Sequence, residues 1–232
     1  MNKRTMKKGL AIVLALVMVF AMTATAFAET TGTVNVKFYV PEKYADLEGN
    51  YHNLSHVGYT LYGQKEDPVT GDNIDVYGYV RTANLATMAR PAVTLPNGFQ
   101  GLYNTNGNVF DAIYDVAVTQ KGETAALYGT TAANSAAFVY GFDMPSYTQS
   151  GARADGIFIN KLSGNVTNAL DTDNTSYWVG YSWSFYAVPT NVSNFDPLNP
   201  NVTYKSDLYT NNVNAASGYT YYMIYEYNEQ TW

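Results

Sequence analysis

The run YWVGYSWSFYAV at residues 177–188 carries the clearest strand signal in the chain. Within it, Tyr181, Trp183 and Phe185 alternate with small residues, which is the two-residue period of a strand that buries one face. Aromatic side chains also favour strands, because they pack well on a pleated surface. The run therefore predicts a long strand whose rings face one side of a sheet.

Four further segments show strand-like patterns, with apolar alternation or with many β-branched and aromatic residues. They are Thr33 to Val40, Ile74 to Val80, Gly156 to Leu162 and Tyr219 to Tyr227. Residues 42–73 are polar with turn signals, and the proline-containing and asparagine-rich residues 189–203 are predicted as a loop. The chain is expected to hold about five to seven strands.

One helix is predicted, and Asn108 is placed to cap its start, since an asparagine side chain accepts a hydrogen bond from an amide of the first turn. The apolar residues at helical spacing are Val109, Ala112, Ile113 and Val116. Asp111 lies in the first turn, where the helix dipole favours a negative charge, and Gly122 is the expected end. The alanine-rich residues 125–137 are compatible with either helix or loop. One helix among several strands predicts an α+β, β-rich fold.

The beginning of the chain has the three parts of a secretory signal peptide. The basic start consists of Lys3, Arg4, Lys7 and Lys8. An uncharged apolar stretch follows from Leu10 to Met22, and small residues at Ala26 and Ala28 place cleavage before Glu29. The apolar stretch is shorter than the roughly 20 residues that cross a bilayer, which favours a cleaved signal over a membrane anchor.

The signal peptide is thus predicted at residues 1–28, followed by a single domain at residues 29–232. Export predicts a secreted, extracellular protein at the bacterial cell surface. The chain has no cysteine, which excludes disulfides, thiolate metal sites and a cysteine nucleophile. Four of its 13 basic residues lie in the signal, against 19 acidic residues elsewhere. The resulting negative charge disfavours nucleic acids and anionic membrane surfaces.

A family resemblance rests on four segments in a particular order. Asn108 to Ile113, a small polar residue before an apolar-apolar-Asp-Ala-apolar run, is similar to that family's helix start. Gly156 to Gly164 resembles its next strand and turn, and Tyr177 to Tyr181 and Ala216 to Tyr225 resemble its aromatic and closing strands. Over about residues 33–227 the chain resembles the transcobalamin-like C-terminal domain family. The resemblance implies a β-grasp-like curved sheet with one main helix and long loop insertions, and a cobalamin or other corrinoid as ligand.

Tyrosine is unusually abundant, with 22 residues. Tyr and Trp combine a large apolar area with one hydrogen-bonding group, so they are enriched at recognition surfaces. They also pair across strands, so packing within a sheet accounts for many of them. The residues predicted to contact a ligand are Tyr177, Trp178, Tyr181 and Trp183.

Other reactive side chains give ambiguous patterns. His52 and His56 have the spacing of a metal pair on a helix, but nearby glycines predict solvated loop residues instead. Asp171 and Asp173 lie in a turn cluster, where a bound Ca²⁺ ion and a solvated turn are both open. No Gly-x-Ser-x-Gly motif of a serine hydrolase is present. The chain is therefore predicted to be non-catalytic, with no metal site and no cofactor other than cobalamin as a ligand.

The sequence is compatible with functions from different classes. The leading prediction is a secreted, non-catalytic binding module for a small molecule or glycan, with cobalamin as the ligand implied by the resemblance. The alternative is a structural or adhesive cell-surface protein that binds another protein or cell-wall glycan, and a hydrolase is a third hypothesis. Neither nucleic-acid binding nor membrane insertion is expected.

Overall fold

The computed structural model describes residues 31–89, 107–143, 156–166, 169–171 and 177–231, so the predicted signal peptide lies outside the described residues. The strands are β1 Thr33–Pro41, β2 Lys43–Ala45, β3 Tyr51–Asn53, β4 Thr60–Glu66, β5 Asn73–Asn84, β6 Ala125–Leu127, β7 Phe138–Asp143, β8 Gly156–Leu162, β9 Asn165–Val166, β10 Ala169–Asp171, β11 Tyr177–Pro189 and β12 Tyr219–Thr231. Helix α1 covers Val109–Tyr114 and continues as a wider π-helical turn over Asp115–Gln120. Short 3₁₀ turns cover Thr131–Asn134, Val202–Tyr204 and Thr210–Asn212.

The largest sheet has six strands in the order β10-β11-β12-β1-β5-β4. β1 lies parallel to β12 and antiparallel to β5. β12 is also antiparallel to β11, from Tyr177 opposite Thr231 to Pro189 opposite Tyr219. The first and last described strands therefore lie side by side at the centre, each with an antiparallel partner, and a helix packs on one face. This confirms the predicted α+β, β-rich fold with one main helix.

One face of this sheet, called the inner face, buries side chains that recur at every second residue. On β1, β11 and β12 they are Val34, Val36, Phe38, Tyr181, Trp183, Phe185, Tyr221, Met223 and Tyr225. They share one apolar core with residues of α1, and removing this area from water is the main favourable contribution to folding. The alternation of rings and small residues along β11 thus determines which of its side chains join this core.

Helix α1 begins at the predicted cap. Asn108 Oδ1 accepts a hydrogen bond of 2.9 Å from the amide of Asp111, and Asp111 Oδ2 accepts one of 3.3 Å from the amide of Asn108. This reciprocal pairing satisfies two amides that the helix itself leaves free. The helical segment ends at Gln120, just before Gly122, whose φ of 79° is readily available only to glycine. Both predicted helix boundaries are confirmed.

A second sheet packs against α1 as well, with four strands in the order β6-β7-β8-β9. The ring of Phe110 lies 6.1 Å from that of Phe138 and 5.5 Å from that of Tyr140, both on β7. Ile157 and Ile159 of β8 belong to the same core. The helix is therefore shared by the two sheets, and β8 is brought close to β11.

The opposite side of the six-stranded sheet, called the outer face, lies under the connection between β11 and β12. Its buried cluster consists of Tyr39, Val76, Tyr186, Val188, Tyr222 and Ile224. Phe195 of the connection packs on this cluster, with its ring 4.5 Å from the ring of Tyr222. The predicted loop at 189–203 is thus confirmed in its main part as an irregular cover for the sheet.

Residues 42–73 differ most from the sequence-based expectation, because they contain β2, β3 and β4. β4 is an edge strand on which Leu61 and Tyr62 are 56% and 48% exposed. A strand with no clearly buried face lacks the alternation by which strands are recognised. The ambiguous residues 125–137 form β6 and a 3₁₀ turn. The described residues hold twelve strands, so the expected number was too low, mainly because short strands leave little periodic signal.

Candidate functional site

A cavity of about 440 Å³ lies beside β11, with walls from β8, β11, β12 and residues 205–210. β10 pairs with β11 over Val179–Tyr181, and the cavity begins at the next residues. Four consecutive residues, Ser182 to Phe185, line it. Because neighbouring strand residues point to opposite faces, the cavity curves round the edge of β11. Small-molecule pockets have volumes of about 300–1,000 Å³, and this cavity falls within that range.

Aromatic rings dominate the wall on the inner-face side. Trp183 is 8% exposed, and its Nε1 donates a hydrogen bond of 3.3 Å to the backbone oxygen of Asn165. Phe158 and Tyr209 contribute two more rings. The ring of Tyr209 lies over Gly156, where an added Cβ would come within 2.1 Å of a ring carbon. The absence of a side chain at Gly156 is therefore what lets the segment 205–210 approach β8.

Hydrogen-bonding side chains dominate the wall on the outer-face side. Lys205 Nζ donates to Asn228 Oδ1 and lies 3.1 Å from Glu226 Oε1. Asn228 Nδ2 donates to Ser182 Oγ at 2.8 Å and to Ser184 Oγ at 3.3 Å. These five residues are called the Lys205 cluster. In this cluster the Lys205 ammonium pairs with the Glu226 carboxylate, and the Asn228 amide links the ammonium to the two serine hydroxyls.

Tyr186 adds a second donor to the carboxylate of the Lys205 cluster. Its hydroxyl donates a hydrogen bond of 2.6 Å to Glu226 Oε1, and the residue is 1% exposed. Burial, together with the nearby charge of Glu226, raises the pKa of Tyr186 well above its ordinary value. The phenol therefore stays neutral and keeps Glu226 oriented toward Lys205.

Thr210 brings an unused hydrogen-bonding group to the cavity. The residue lines the cavity and is 6% exposed, and its Oγ1 has no hydrogen-bond partner within the described residues. Buried polar groups are nearly always paired. A polar ligand atom that reached this hydroxyl would therefore give it the hydrogen-bond partner that it lacks.

The four residues predicted to contact a ligand lie in different environments. Trp183 lines the cavity. Tyr181 is 1% exposed, and its hydroxyl donates a hydrogen bond of 2.8 Å to Asp67 Oδ2. Burial and this hydrogen bond raise the pKa of Tyr181. Tyr177 and Trp178 belong to β11, but their side chains lie outside the described part of the chain. Ligand contact stays a prediction for all four, and of the two described side chains Trp183 is the one that lines the cavity.

The two histidines do not form a helical metal pair. His52 lies in β3, with Nε2 2.9 Å from Asp46 Oδ2, whereas His56 stacks on Tyr77 with 4.1 Å between ring centroids. The loop prediction holds for His56 and was wrong for His52, because a three-residue exposed strand leaves no periodic signal. Within the described residues, no group of three or more His, Cys, Asp or Glu side chains is arranged to hold a metal ion.

The acidic pair considered for Ca²⁺ falls at the limit of the described residues. Asp171 is the last residue of β10, and its side chain is not described. Asp173 lies outside the described residues. A bound cation and a solvated turn therefore both stay predictions at this position.

A second polar cluster ties the turn between β8 and β9 to the end of the helical segment. Glu123 accepts hydrogen bonds from the amide and hydroxyl of Ser163, at 3.1 and 2.8 Å. The hydroxyl of Tyr59 lies 2.6 Å from Ser163 Oγ, and Lys121 Nζ lies 2.9 Å from Glu123. Ser163 is 4% exposed. Because its hydroxyl is buried and already paired, this cluster serves to hold the turn.

Sequence reasoning does not single out Lys205 or the following residues, although they form much of the cavity. The segment is polar and irregular, and Leu208 is 59% exposed, so no period marks it. One signal was present: Lys205 is the only Lys or Arg after Lys161. A single lysine in a long stretch of aromatic and acidic residues indicates that its ammonium pairs with a carboxylate.

Comparisons with models of known protein families, with curated proteins and with solved structures found no match to this chain. No helix among the described residues is long and apolar enough to cross a membrane.

Proposed function

We propose that this protein is a secreted, non-catalytic module that binds a small ligand in the cavity beside β11. The supporting observation is that the cavity combines aromatic rings, including Trp183 and Tyr209, with hydrogen-bonding side chains such as Ser182 and Lys205. Rings pack against flat apolar surfaces, and a few polar groups fix the orientation of a ligand. A ligand with a flat apolar face and a polar rim fits this chemistry.

The charged side chains around the cavity limit the class of ligand that we expect it to bind. The positive charge of Lys205 is already paired with Glu226 at 3.1 Å. Asp207 and Glu229 also line the cavity and are exposed, so the local excess is negative. Like charges repel an approaching anion. Neutral ligands, such as a neutral sugar or a corrinoid without net negative charge, are favoured over phosphorylated ones.

Two neutral ligand sources share this chemistry. A sugar ring of cell-wall glycan fits inside the cavity. A corrinoid, which the resemblance to the transcobalamin-like C-terminal domain family implies, is larger and would rest over the cavity opening with one face. Cyanocobalamin and oligomers of N-acetylglucosamine are therefore the two probes that distinguish the sources.

The test compares two leucines of similar exposure. Leu208 lines the cavity and is 59% exposed, whereas Leu61 is 56% exposed on β4 and is not among the cavity-lining residues. Leu208→Asp should weaken binding of the active probe by about tenfold or more, measured by titration calorimetry and, for cyanocobalamin, by corrin absorbance. Leu61→Asp should bind like the unmodified protein. Equal losses in both variants, or no binding of either probe, would contradict the proposal.

A structural or adhesive role at the cell surface is the second candidate. It is favoured by the burial of many tyrosines, since Tyr181, Tyr186, Tyr221 and Tyr225 are each about 1% exposed and therefore stabilise the fold itself. Such a protein would sediment with purified cell-wall material while leaving the cyanocobalamin spectrum unchanged. If sedimentation survives Leu208→Asp, the contact surface lies elsewhere and the cavity is not the binding site.

A further inference from the structure

An amine, an amide and a carboxylate meet in the Lys205 cluster. Lys205 Nζ is in hydrogen-bond contact with Asn228 Oδ1 and lies 3.1 Å from Glu226 Oε1. We propose that Lys205 and Asn228 become joined by an intramolecular amide bond, and that Glu226 promotes its formation. This inference does not depend on a ligand and goes beyond the binding function proposed above.

The backbone holds the reacting groups in place from both sides. Glu226 and Asn228 are two residues apart on β12 and so project from the same face. Lys205 forms an isolated antiparallel bridge with Tyr186 of β11, and the next amide, that of Ser206, donates a hydrogen bond of 2.9 Å to the oxygen of Phe185. Groups held in contact in this way react far faster than free groups in solution.

The bond-forming step balances without any further reagent. Glu226 takes a proton from the Lys205 ammonium, and the neutral amine attacks Cγ of Asn228, forming the Nζ–Cγ bond. Glu226 then passes its proton to Nδ2 while it takes the second proton from the attacking nitrogen. The Cγ–Nδ2 bond breaks and ammonia leaves, carrying away the excess proton as ammonium. The products are a secondary amide between Lys205 and Asn228 and an unchanged Glu226 carboxylate.

The surroundings favour this step. The hydroxyl of Ser184 donates to Asn228 Oδ1 at 3.3 Å, where negative charge develops during attack. The side chain of Glu226 is 12% exposed, so its proton transfer takes place largely shielded from water. Asn228, Lys205 and Ser182 all line the cavity, which gives the departing ammonia a way out.

The proposed bond explains how the cover of the outer face is fixed in place. It would join the connection before β12 to β12 itself and so close a covalent loop from position 205 to position 228. An exported chain without cysteine has no disulfide to do this. A cross-link restricts the unfolded chain and slows the opening of the loop it closes.

The first experiment is mass spectrometry of the purified, unmodified protein. Its intact mass should be lower by one ammonia molecule than the mass calculated from the sequence that starts at its observed N-terminal residue. Chymotrypsin, which cleaves after Tyr204, Tyr209 and Tyr227, should release residues 205–209 and 228–232 as one branched peptide. Trypsin should fail to cleave after Lys205. A full intact mass, or an ammonia loss with the two peptides separate, would overturn the proposal.

Single substitutions then assign the roles of the residues. Lys205→Arg keeps the charge but cannot form the amide, and Glu226→Gln keeps both reacting groups but removes the proton acceptor. Both variants should have the full mass, with circular dichroism confirming that they are folded. Lys37→Arg changes a lysine beside Tyr222 on the outer face, away from the reacting groups, and should keep the loss of ammonia. A cross-linked Glu226→Gln protein would overturn the role assigned to Glu226.

Discussion

The two faces of the six-stranded sheet are built from the same strands but are stabilised differently. On the inner face, rings and aliphatic side chains pack on α1 and merge with the core of the second sheet. On the outer face, a smaller aromatic cluster shares its cover with the hydrogen-bonded Lys205 cluster. The inner face therefore depends on apolar burial, and the outer face also depends on specific polar contacts.

The difference follows from what covers each face. A helix satisfies most of its own backbone hydrogen bonds and can present an apolar stripe. An irregular connection has unpaired backbone groups that need water or polar partners. Side chains such as Lys205 and Ser206, which accompany the connection, therefore bring polarity and a cavity to the outer face, where the proposed ligand would meet hydrogen-bonding groups.

The largest expected effect comes from removing a ring at the helix. Phe110 is 0% exposed and contacts the rings of Tyr114, Phe138 and Tyr140. Phe110→Ala should lower the free energy of unfolding by about 3–5 kcal/mol. Phe195→Ala, the matched change at a half-buried ring that covers the outer cluster, should cost about 1–2 kcal/mol. Urea denaturation measures both, and an equal loss would mean that the faces do not differ in apolar burial.

A smaller effect is expected from removing one hydroxyl on each face. Asp67 is 0% exposed, so Tyr181→Phe leaves an acceptor on a fully buried carboxylate without this donor and should cost about 2 kcal/mol. Tyr186→Phe should cost about 1 kcal/mol, because Glu226 keeps Lys205 as a partner and some exposure to water. Thermal and urea unfolding check the order. A larger loss for Tyr186→Phe would reverse the comparison.

Local chemistry made the inner face predictable from the sequence. The cap of α1 needs only Asn108 and Asp111, three residues apart, and the alternation along β11 is visible within a short window. The fold class follows from such signals. Alternation assigns Tyr181 and Trp183 to the same face, but it does not show that Trp183 reaches the cavity while Tyr181 is enclosed beside Asp67.

The cavity and the outer face were not predictable in the same way. Lys205 meets Asn228 across 23 positions of sequence, and Tyr209 meets Gly156 across an even longer separation. Neither pair leaves a periodic pattern, since each depends on how an irregular connection folds back on strands. The exposed edge strand β4 was missed for the related reason that it has no clearly buried face.

The smallest expected effect tests whether charge on the outer face costs stability. Burial lowers the pKa of Lys37 from its ordinary value of 10.5, and its Nζ lies 3.5 Å from the hydroxyl of Tyr222. The folded state therefore disfavours the charged form of Lys37. This cost in stability is complete below the lowered pKa and disappears as the pH rises toward 10.5.

The Lys37→Met variant should be more stable than the unmodified protein at pH 7 by about 0.5 kcal/mol or less. This advantage should shrink as the pH is raised. Urea denaturation of both proteins at a series of pH values from 7 upward gives the difference, which should decrease as the pH approaches 10.5. A variant that is less stable than the unmodified protein at pH 7 would show that the contact with Tyr222 outweighs the burial of the charge.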